Sequence, residues 1–223
     1  DLDSAKKYLS NLKSKAKSGS TIALEQEIKL FERIIESLSK GQAIRDLPLT
    51  DDEKKFIKTF NFLTGKPMMV VLNIDEADAT KQPVPQLNFN DPIIEISAKI
   101  EAELADLSPA EAKDFLTSIG QSQTGLDKLI LAGYKLLDLI TFLTSGPMES
   151  RAWTVARGAK APQAAGVIHS DFEKGFIRAE VCDYSDFINF GGWAKIKETG
   201  KMRLEGKDYM MRDGDVLFFR VGN

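Results

Sequence analysis

The sequence predicts an α/β portion followed by a smaller α+β portion, led by a pair of amphipathic helices. Three observations predict it. Residues 1–40 repeat apolar side chains at alternating spacings of three and four, the period of a helical seam. Between residues 50 and 138, helix-start signals alternate with short, wholly apolar runs, the pattern of strands covered by helices. From Ile140 onward glycine and short β-rich segments increase.

In the first segment, Leu2, Ala5, Leu9, Leu12 and Ala16 form one apolar stripe, and Leu24, Ile28, Phe31, Ile35 and Leu38 form a second. Ser18-Gly19-Ser20-Thr21 between them supplies a helix stop and then an N-cap. An antiparallel helical hairpin with facing stripes is expected. The pattern changes after Pro48. Thr50-Asp51-Asp52-Glu53 is a capping box, and the helix after it carries Phe56, Ile57 and Phe60. Met68-Met69-Val70-Val71-Leu72 reads as a strand covered on both faces. Ile93-Ile94-Glu95-Ile96 reads as a second, reached through a proline-containing loop from Lys81 to Pro92. Ser108-Pro109-Ala110-Glu111 opens another helix, and Thr124 caps one carrying Leu126, Leu129, Ile130, Tyr134 and Leu137. In the last portion, Arg151–Val155, Gly175–Val181 and Asp215–Val221 are β-rich. The third of these alternates poorly for an exposed strand, and Asp213-Gly214-Asp215 before it is a turn signal.

Composition narrows the function classes. A 223-residue chain with 43% apolar and 28% charged residues is ordinary for a globular protein, and a net charge of -3 gives no overall attraction to nucleic acid or anionic membrane. The single cysteine, Cys182, forms no intrachain disulfide, which favours a reducing compartment such as the cytosol. No stretch approaches the 18 apolar residues of a membrane span. The opening residues resemble neither a signal nor a transit peptide, lack an initiator Met and begin inside a helical pattern, so the chain reads as a fragment. A monomer is the expectation.

The chemistry begins with absences. There is no G-x-x-x-x-G-K-[ST] loop for phosphates; Gly200-Lys201 fails because residue 195 is Lys and residue 202 is Met. One His and one Cys build no metal centre, a Cys182–His169 dyad has no local support, and no catalytic residue is assigned. Asp213 and Asp215 read as turn residues, and His169 beside Asp171 as a hydrogen-bonded structural pair. The informative run is Asn73-Ile74-Asp75-Glu76, which puts polar groups at the carboxyl end of the first apolar strand, where α/β proteins bind ligands. Ser97-Ala98-Lys99 follows the second strand in the same way. The pair is similar to the base-reading motifs of the GTPase superfamily, normally N-K-x-D and S-A-K. There the motif's Asp accepts from guanine N1–H and the exocyclic amine. Adenine has an acceptor at N1, so a longer Glu76 and an apolar Ile74 should relax or reverse the guanine preference.

The resemblance extends to a family. Ala152–Val155, Ala161–His169, Asp171–Val181, Gly200–Tyr209 and Asp213–Val216, with Ser97–Leu104 and Gly125–Ile130 upstream, closely resemble the YchF (Obg-like) P-loop ATPases over nearly the whole chain. That resemblance implies a helical, coiled-coil insertion over residues 1–48 and the distal part of a GTPase-like nucleotide domain over 49–138. It implies a β-grasp TGS domain over 139–223. It further implies a cytoplasmic, ribosome-associated protein that binds ATP, or GTP, with Mg in its intact form. Asn73 and Glu76 would lie at the base edge, Ile74 on the purine, and Ser97, Ala98 and Lys99 around it. This chain alone, without the phosphate loop, is expected to be inactive.

Two basic stretches stand apart. Lys6, Lys7, Lys13, Lys15 and Lys17 suit either RNA contact or a solvated helix face. Lys195, Lys197, Lys201, Arg203 and Lys207, near Trp193 and Tyr209, are candidate RNA contacts combining phosphate pairing with base stacking, although Glu198, Glu205 and Asp208 interrupt them. The alternative to a nucleotide role is therefore an RNA- or ribosome-binding TGS module.

Overall fold

The computed structural model describes residues 1–76, 91–146 and 149–222. The expected loop from Lys81 to Pro92 lies almost wholly outside the described residues. The chain separates into two compact units, Asp1–Met68 and Met69–Asn223.

In the first unit, α1 (Leu2–Ala16) packs on α2 (Ile22–Ser39) through Ala5 and Leu12 of its predicted stripe. The buried line of α2 is Leu30, Phe31 and Ile34, leaving Leu24, Ile28, Ile35 and Leu38 of the expected stripe partly buried at its edge. Thr21 caps α2 by accepting the Leu24 amide at 3.2 Å. Pro48 does not end this unit. The helix α3 (Asp51–Lys58) opens with the predicted Thr50–Glu53 box and returns Ile57 to the same core, where Phe62 joins it. Phe31 is fully buried at the centre, with the rings of Tyr8 and Phe60 at 4.5 and 5.2 Å. The carboxylate of Asp1 accepts the amides of Leu63 and Thr64 at 3.0 and 2.6 Å, tying the start of the unit to its end.

The second unit begins with β1 (Val70–Asn73) and β2 (Ile93–Ile96), paired in parallel with Val70 opposite Ile93 and Asn73 opposite Ile96. The expectation of two covered faces holds for only one: Ile94 is buried, while Val71 and Ile93 are 47% and 37% exposed. Helices α4 (Ala98–Ala105) and α5 (Pro109–Ser118) share a small core of Ile100, Leu104 and Leu116. Helix α6 (Gly125–Leu136) then leads into a five-stranded sheet.

That sheet contains β3 (Leu139–Ser145), β4 (Ser150–Ala156), β5 (Phe176–Asp183), β6 (Arg203–Glu205) and β7 (Asp215–Val221), ordered β4-β3-β7-β5-β6. β3 and β7 are parallel and the other neighbours antiparallel. One face holds Ile140, Phe142, Val155, Ala179, Val181 and Leu217 against α7 (Ala161–Ile168). The helix meets the sheet through Ala161, Ala164 and Ala165, all fully buried. Small side chains there let helix and sheet approach closely. The short α8 (Ser170–Lys174) follows it. The opposite face is covered at Cys182 and Val216 by α9 (Tyr184–Phe190) and α10 (Trp193–Glu198), through Phe187, Phe190, Trp193 and Ile196. Coverage of both faces explains the poor alternation of the last strand, whose Asp215, Val216 and Leu217 are all buried in succession. No helix among the described residues is long and apolar enough to cross a membrane.

Candidate functional site

The carboxyl ends of β1 and β2 bring the two polar motifs together. Pairing continues one residue beyond the strands, where the Ile74 amide donates to the Ile96 carbonyl at 3.0 Å. Asn73 Oδ1 accepts the Ala98 amide at 3.0 Å. Ala98 is the first residue of α4, so Asn73 satisfies an orphan helix amide from a neighbouring strand. Lys99 donates to Glu76 Oε2 at 2.9 Å. The Glu76 carboxylate, by hydrogen bond and charge, holds the Lys99 ammonium above its ordinary pKa. All six predicted residues, Asn73, Ile74, Glu76, Ser97, Ala98 and Lys99, thus sit within one connected corner. The three-residue motif is not a free loop, however: Ala98 and Lys99 already belong to the first turn of α4.

Ser97 occupies the position before α4 but its side chain does not cap the helix. It is 6% exposed, and its hydroxyl has no hydrogen-bond partner among the described residues. It borders a cavity of about 40 Å³ that Ile74, Ile96, Glu101, Gln121 and Lys128 also line. That volume accommodates one water-sized group. Chemically, the corner offers an exposed amide side chain, a half-exposed carboxylate and an ammonium, which can recognise a polar ligand edge. Among the described residues no group of three or more His, Cys, Asp or Glu side chains is placed to hold a metal ion.

One participant was not singled out from the sequence. Glu101, within α4, accepts the amides of Gly125 and Leu126 at 2.6 and 3.1 Å. The local pattern Thr124-x-x-Asp127 announces the start of α6, and both of its reciprocal bonds are present. The partner of the remaining amides lies 24 residues away, beyond the reach of any local pattern.

The second candidate surface is occupied largely by its own acids. Lys197 pairs with Glu180 at 3.2 Å and Lys201 with Asp186 at 3.5 Å. Arg203 is surrounded by Asp183, Asp215 and Glu205 at 3.0, 3.4 and 3.5 Å. Glu180 is almost fully buried; burial pushes its carboxyl up, but hydrogen bonds from Arg220 and Lys197 more than offset this and leave it below the usual range. The aromatic neighbours are tied inward: Trp193 donates to the Ser145 carbonyl at 2.8 Å and Tyr209 to Asp215 at 2.9 Å. Only Lys195 and Lys207 of the five have no acidic partner among the described residues. Asp215, read from the sequence as a turn residue, is 1% exposed and anchors this network at the first position of β7. Cys182 and His169 are not brought together as a dyad. The thiol is buried under α9 and α10, while the exposed imidazole accepts the Asp171 amide at 3.2 Å and caps α8.

Comparison with known proteins gives a consistent result. The family model YchF-GTPase_C, described as a protein of unknown function (DUF933), matches residues 139–222. A protein of Haemophilus ducreyi named ribosome-binding ATPase YchF is 48% identical over 226 residues, covering 99% of this chain and 62% of that protein. The Bacillus subtilis protein of the same name is 40% identical over 230 residues, with the same coverage of 99% and 62%. A solved structure, that of the Schizosaccharomyces pombe YchF GTPase, superposes with a TM-score of 0.85 at 30% identity, over 99% of this chain and 62% of that one. The chain therefore spans 62% of the length of these relatives. Along 99% of its own length the chain is similar to proteins named YchF, and across its C-terminal sheet it matches the YchF-GTPase_C family model.

Proposed function

We propose that this chain supplies the base-reading half of a purine-nucleotide site in a ribosome-associated, cytoplasmic ATPase, and that it favours adenine over guanine. One observation carries the reading: Asn73–Ala98 and Glu76–Lys99 cross-connect the two motifs at the carboxyl ends of parallel strands, the usual ligand edge of such sheets. The names of the relatives support ribosome association and ATP use. Base preference follows from hydrogen-bond logic. A Glu76 carboxylate already engaged by Lys99 at 2.9 Å is a poorer acceptor for the two guanine donors, and its neutralised charge is tolerated beside adenine N1. The phosphate-binding loop and the residues that hold Mg would come from sequence that this chain does not contain, so hydrolysis belongs to the intact protein.

The domain reading accompanies this proposal. In this proposal the helical insertion runs from residue 1 through Met68 instead of ending at residue 48, because Ile57 and Phe62 share its core, while 69–138 supply the distal nucleotide domain and 139–223 a TGS-type β-grasp unit. The strand order β4-β3-β7-β5-β6, with its central parallel pair and a helix across one face, supports the last assignment. A second reading, an RNA-binding module with no nucleotide role, draws support from Lys195 and Lys207, the two of the five candidate RNA contacts left without acidic partners among the described residues.

Calorimetric titration of ATP and GTP separates the readings, using this chain and one extended through a phosphate-binding loop. Tight binding by the extended chain alone, with ATP preferred and with Glu76→Asp moving the preference toward GTP, is the expected result. GTP preference, or no binding by the extended chain, overturns the base-site reading and leaves the RNA-binding module.

A further inference from the structure

The base-reading corner has a foothold on a helix that carries none of its motif residues. Glu101 reaches from α4 to the start of α6, where Oε1 accepts the Gly125 amide at 2.6 Å and Oε2 the Leu126 amide at 3.1 Å. Thr124 Oγ1 accepts the third leading amide, that of Asp127, at 2.9 Å. A helix N-terminus presents unsatisfied, partially positive amides and accepts an anion there. Here the anion is internal, and it stands four residues after Ser97.

Two further observations make this contact specific. A Cβ on Gly125 would lie 2.8 Å from Glu101 Oε1 and 2.8 Å from Ile96 Cγ2, so α6 bears directly on the last residue of β2 and on the carboxylate. Ser97, buried and unpartnered among the described residues, borders a cavity whose wall includes Glu101 and Gly125. Residues 97–99 are therefore held from the β1 side by Asn73 and Glu76, and from the α6 side through Glu101.

We propose that Glu101 is a positioning residue for the purine-reading turn Ser97–Lys99, fixing the first turn of α4 so that the Ala98 amide stays on Asn73. This rests on the base-site reading above. Glu101 acts through Ala98 and Lys99 and needs no contact with the nucleotide.

Amide hydrogen exchange in the full ¹⁵N-labelled chain tests it. Glu101→Gln keeps the side chain's size but replaces one accepting oxygen with a nitrogen that cannot accept. Thr124→Ala removes the other α6 cap and leaves Glu101 in place, so it reports a merely structural loss. Glu103→Gln, on an exposed position of α4, is the charge control. Glu101→Gln is expected to speed exchange at Ala98 by roughly tenfold, the size of one lost charge-assisted bond, while Thr124→Ala and Glu103→Gln leave that amide near wild type. The same spectra at millimolar ATP, where weak occupancy registers as shifts at Asn73 and Ala98, should show occupancy weakened about tenfold in Glu101→Gln. Exchange at Ala98 within twofold of wild type in Glu101→Gln, or accelerated equally by Thr124→Ala, overturns the proposal. If neither wild type nor a chain extended through a phosphate-binding loop shows an ATP-dependent shift, the base-site reading fails and purine positioning fails with it. The exchange data then decide separately whether Glu101 holds the turn.

Discussion

The side chain of Asn73, at the end of one strand, accepts the backbone amide of Ala98, the first residue of a helix 25 residues further on, at 3.0 Å. The bond gives Asn73 two separable duties. Its oxygen closes the fold, and its amide nitrogen has no partner among the described residues. Asn73→Ala should cost about 1 kcal/mol of stability by orphaning the Ala98 amide. Asn73→Asp keeps an acceptor and should retain most of that stability. Both variants should lose ATP binding in a chain carrying the phosphate loop, because neither has the amide donor. Denaturant melts beside calorimetry check this; nucleotide affinity that follows stability across the two variants would reduce Asn73 to a structural cap.

Lys197 and Lys195 lie two positions apart on α10, yet they should respond differently to truncation. Lys197 contacts a nearly buried carboxylate, Glu180, which Arg220 also binds at 2.8 Å. Lys197→Ala should lower the thermal midpoint. Lys195→Ala and Lys207→Ala should leave the midpoint unchanged and reduce only a salt-sensitive RNA association, where one exists. The pH dependence has a definite sign. Glu180 is depressed below 4.5 in the folded chain, so its stabilisation is present above pH 4.5 and is lost as pH falls through the folded value. Wild type should therefore lose stability on acidification more steeply than Lys197→Ala, and thermal melts from pH 6 to about 2.5 would register the difference.

Helix starts were the most legible features of this sequence because each is written in four consecutive residues. The boxes at Thr50, Ser108 and Thr124 all form with both reciprocal bonds. The polar ends of β1 and β2 were legible for a similar reason, since motif and strand are adjacent. What escaped was non-local or two-faced. β3, a central strand, was hidden because Leu136, Leu137, Leu139 and Ile140 continue the apolar density of α6. The break between them is Asp138, a left-handed residue with φ 51° where a glycine stop would have been visible. Pro48 read as a domain break, yet Ile57 and Phe62 return to the Phe31 core. The basic stretch looked like a nucleic-acid surface because Asp183 and Glu180, which pair with Arg203 and Lys197, lie on a different strand. The Glu101 contact belongs to the same class: nothing within four residues of it signals α6.

Cys182 should behave as an inert thiol. It is fully buried among Ile196, Val216 and Phe187, and burial foremost, with the nearby Asp183 charge, pushes its pKa from 9.0 to about 11. The thiolate fraction near neutrality is then roughly a hundredfold below that of a free cysteine. Alkylation should proceed only at the rate of unfolding and should stay insensitive to pH between 7 and about 8.5. The fold favours the protonated thiol, so its stabilisation is complete below pH 9 and is lost as pH rises toward 11. Native-state labelling as fast as in denaturant would contradict the buried placement.

Gly125 gives the sharpest test of how β2, α4 and α6 fit together. Its backbone is ordinary helix, so alanine brings no torsional strain and should favour the helix by propensity alone. Packing opposes it. The added methyl carbon would sit 2.8 Å from Ile96 Cγ2, a branch on a strand that cannot swing aside, and 2.8 Å from the Glu101 oxygen that bonds the same residue's amide. Overpacking of this kind costs about 1–3 kcal/mol, and moving Glu101 would also expose the Leu126 amide. Gly125→Ala is therefore expected to destabilise the chain despite its helix propensity. Ile96→Ala should open the space, so the double variant Gly125→Ala/Ile96→Ala should be more stable than the sum of the single changes by on the order of 1 kcal/mol. Strict additivity in chemical denaturation would mean that α6 does not bear on Ile96, and the route from Glu101 to the turn at Ser97 would lose its mechanical basis.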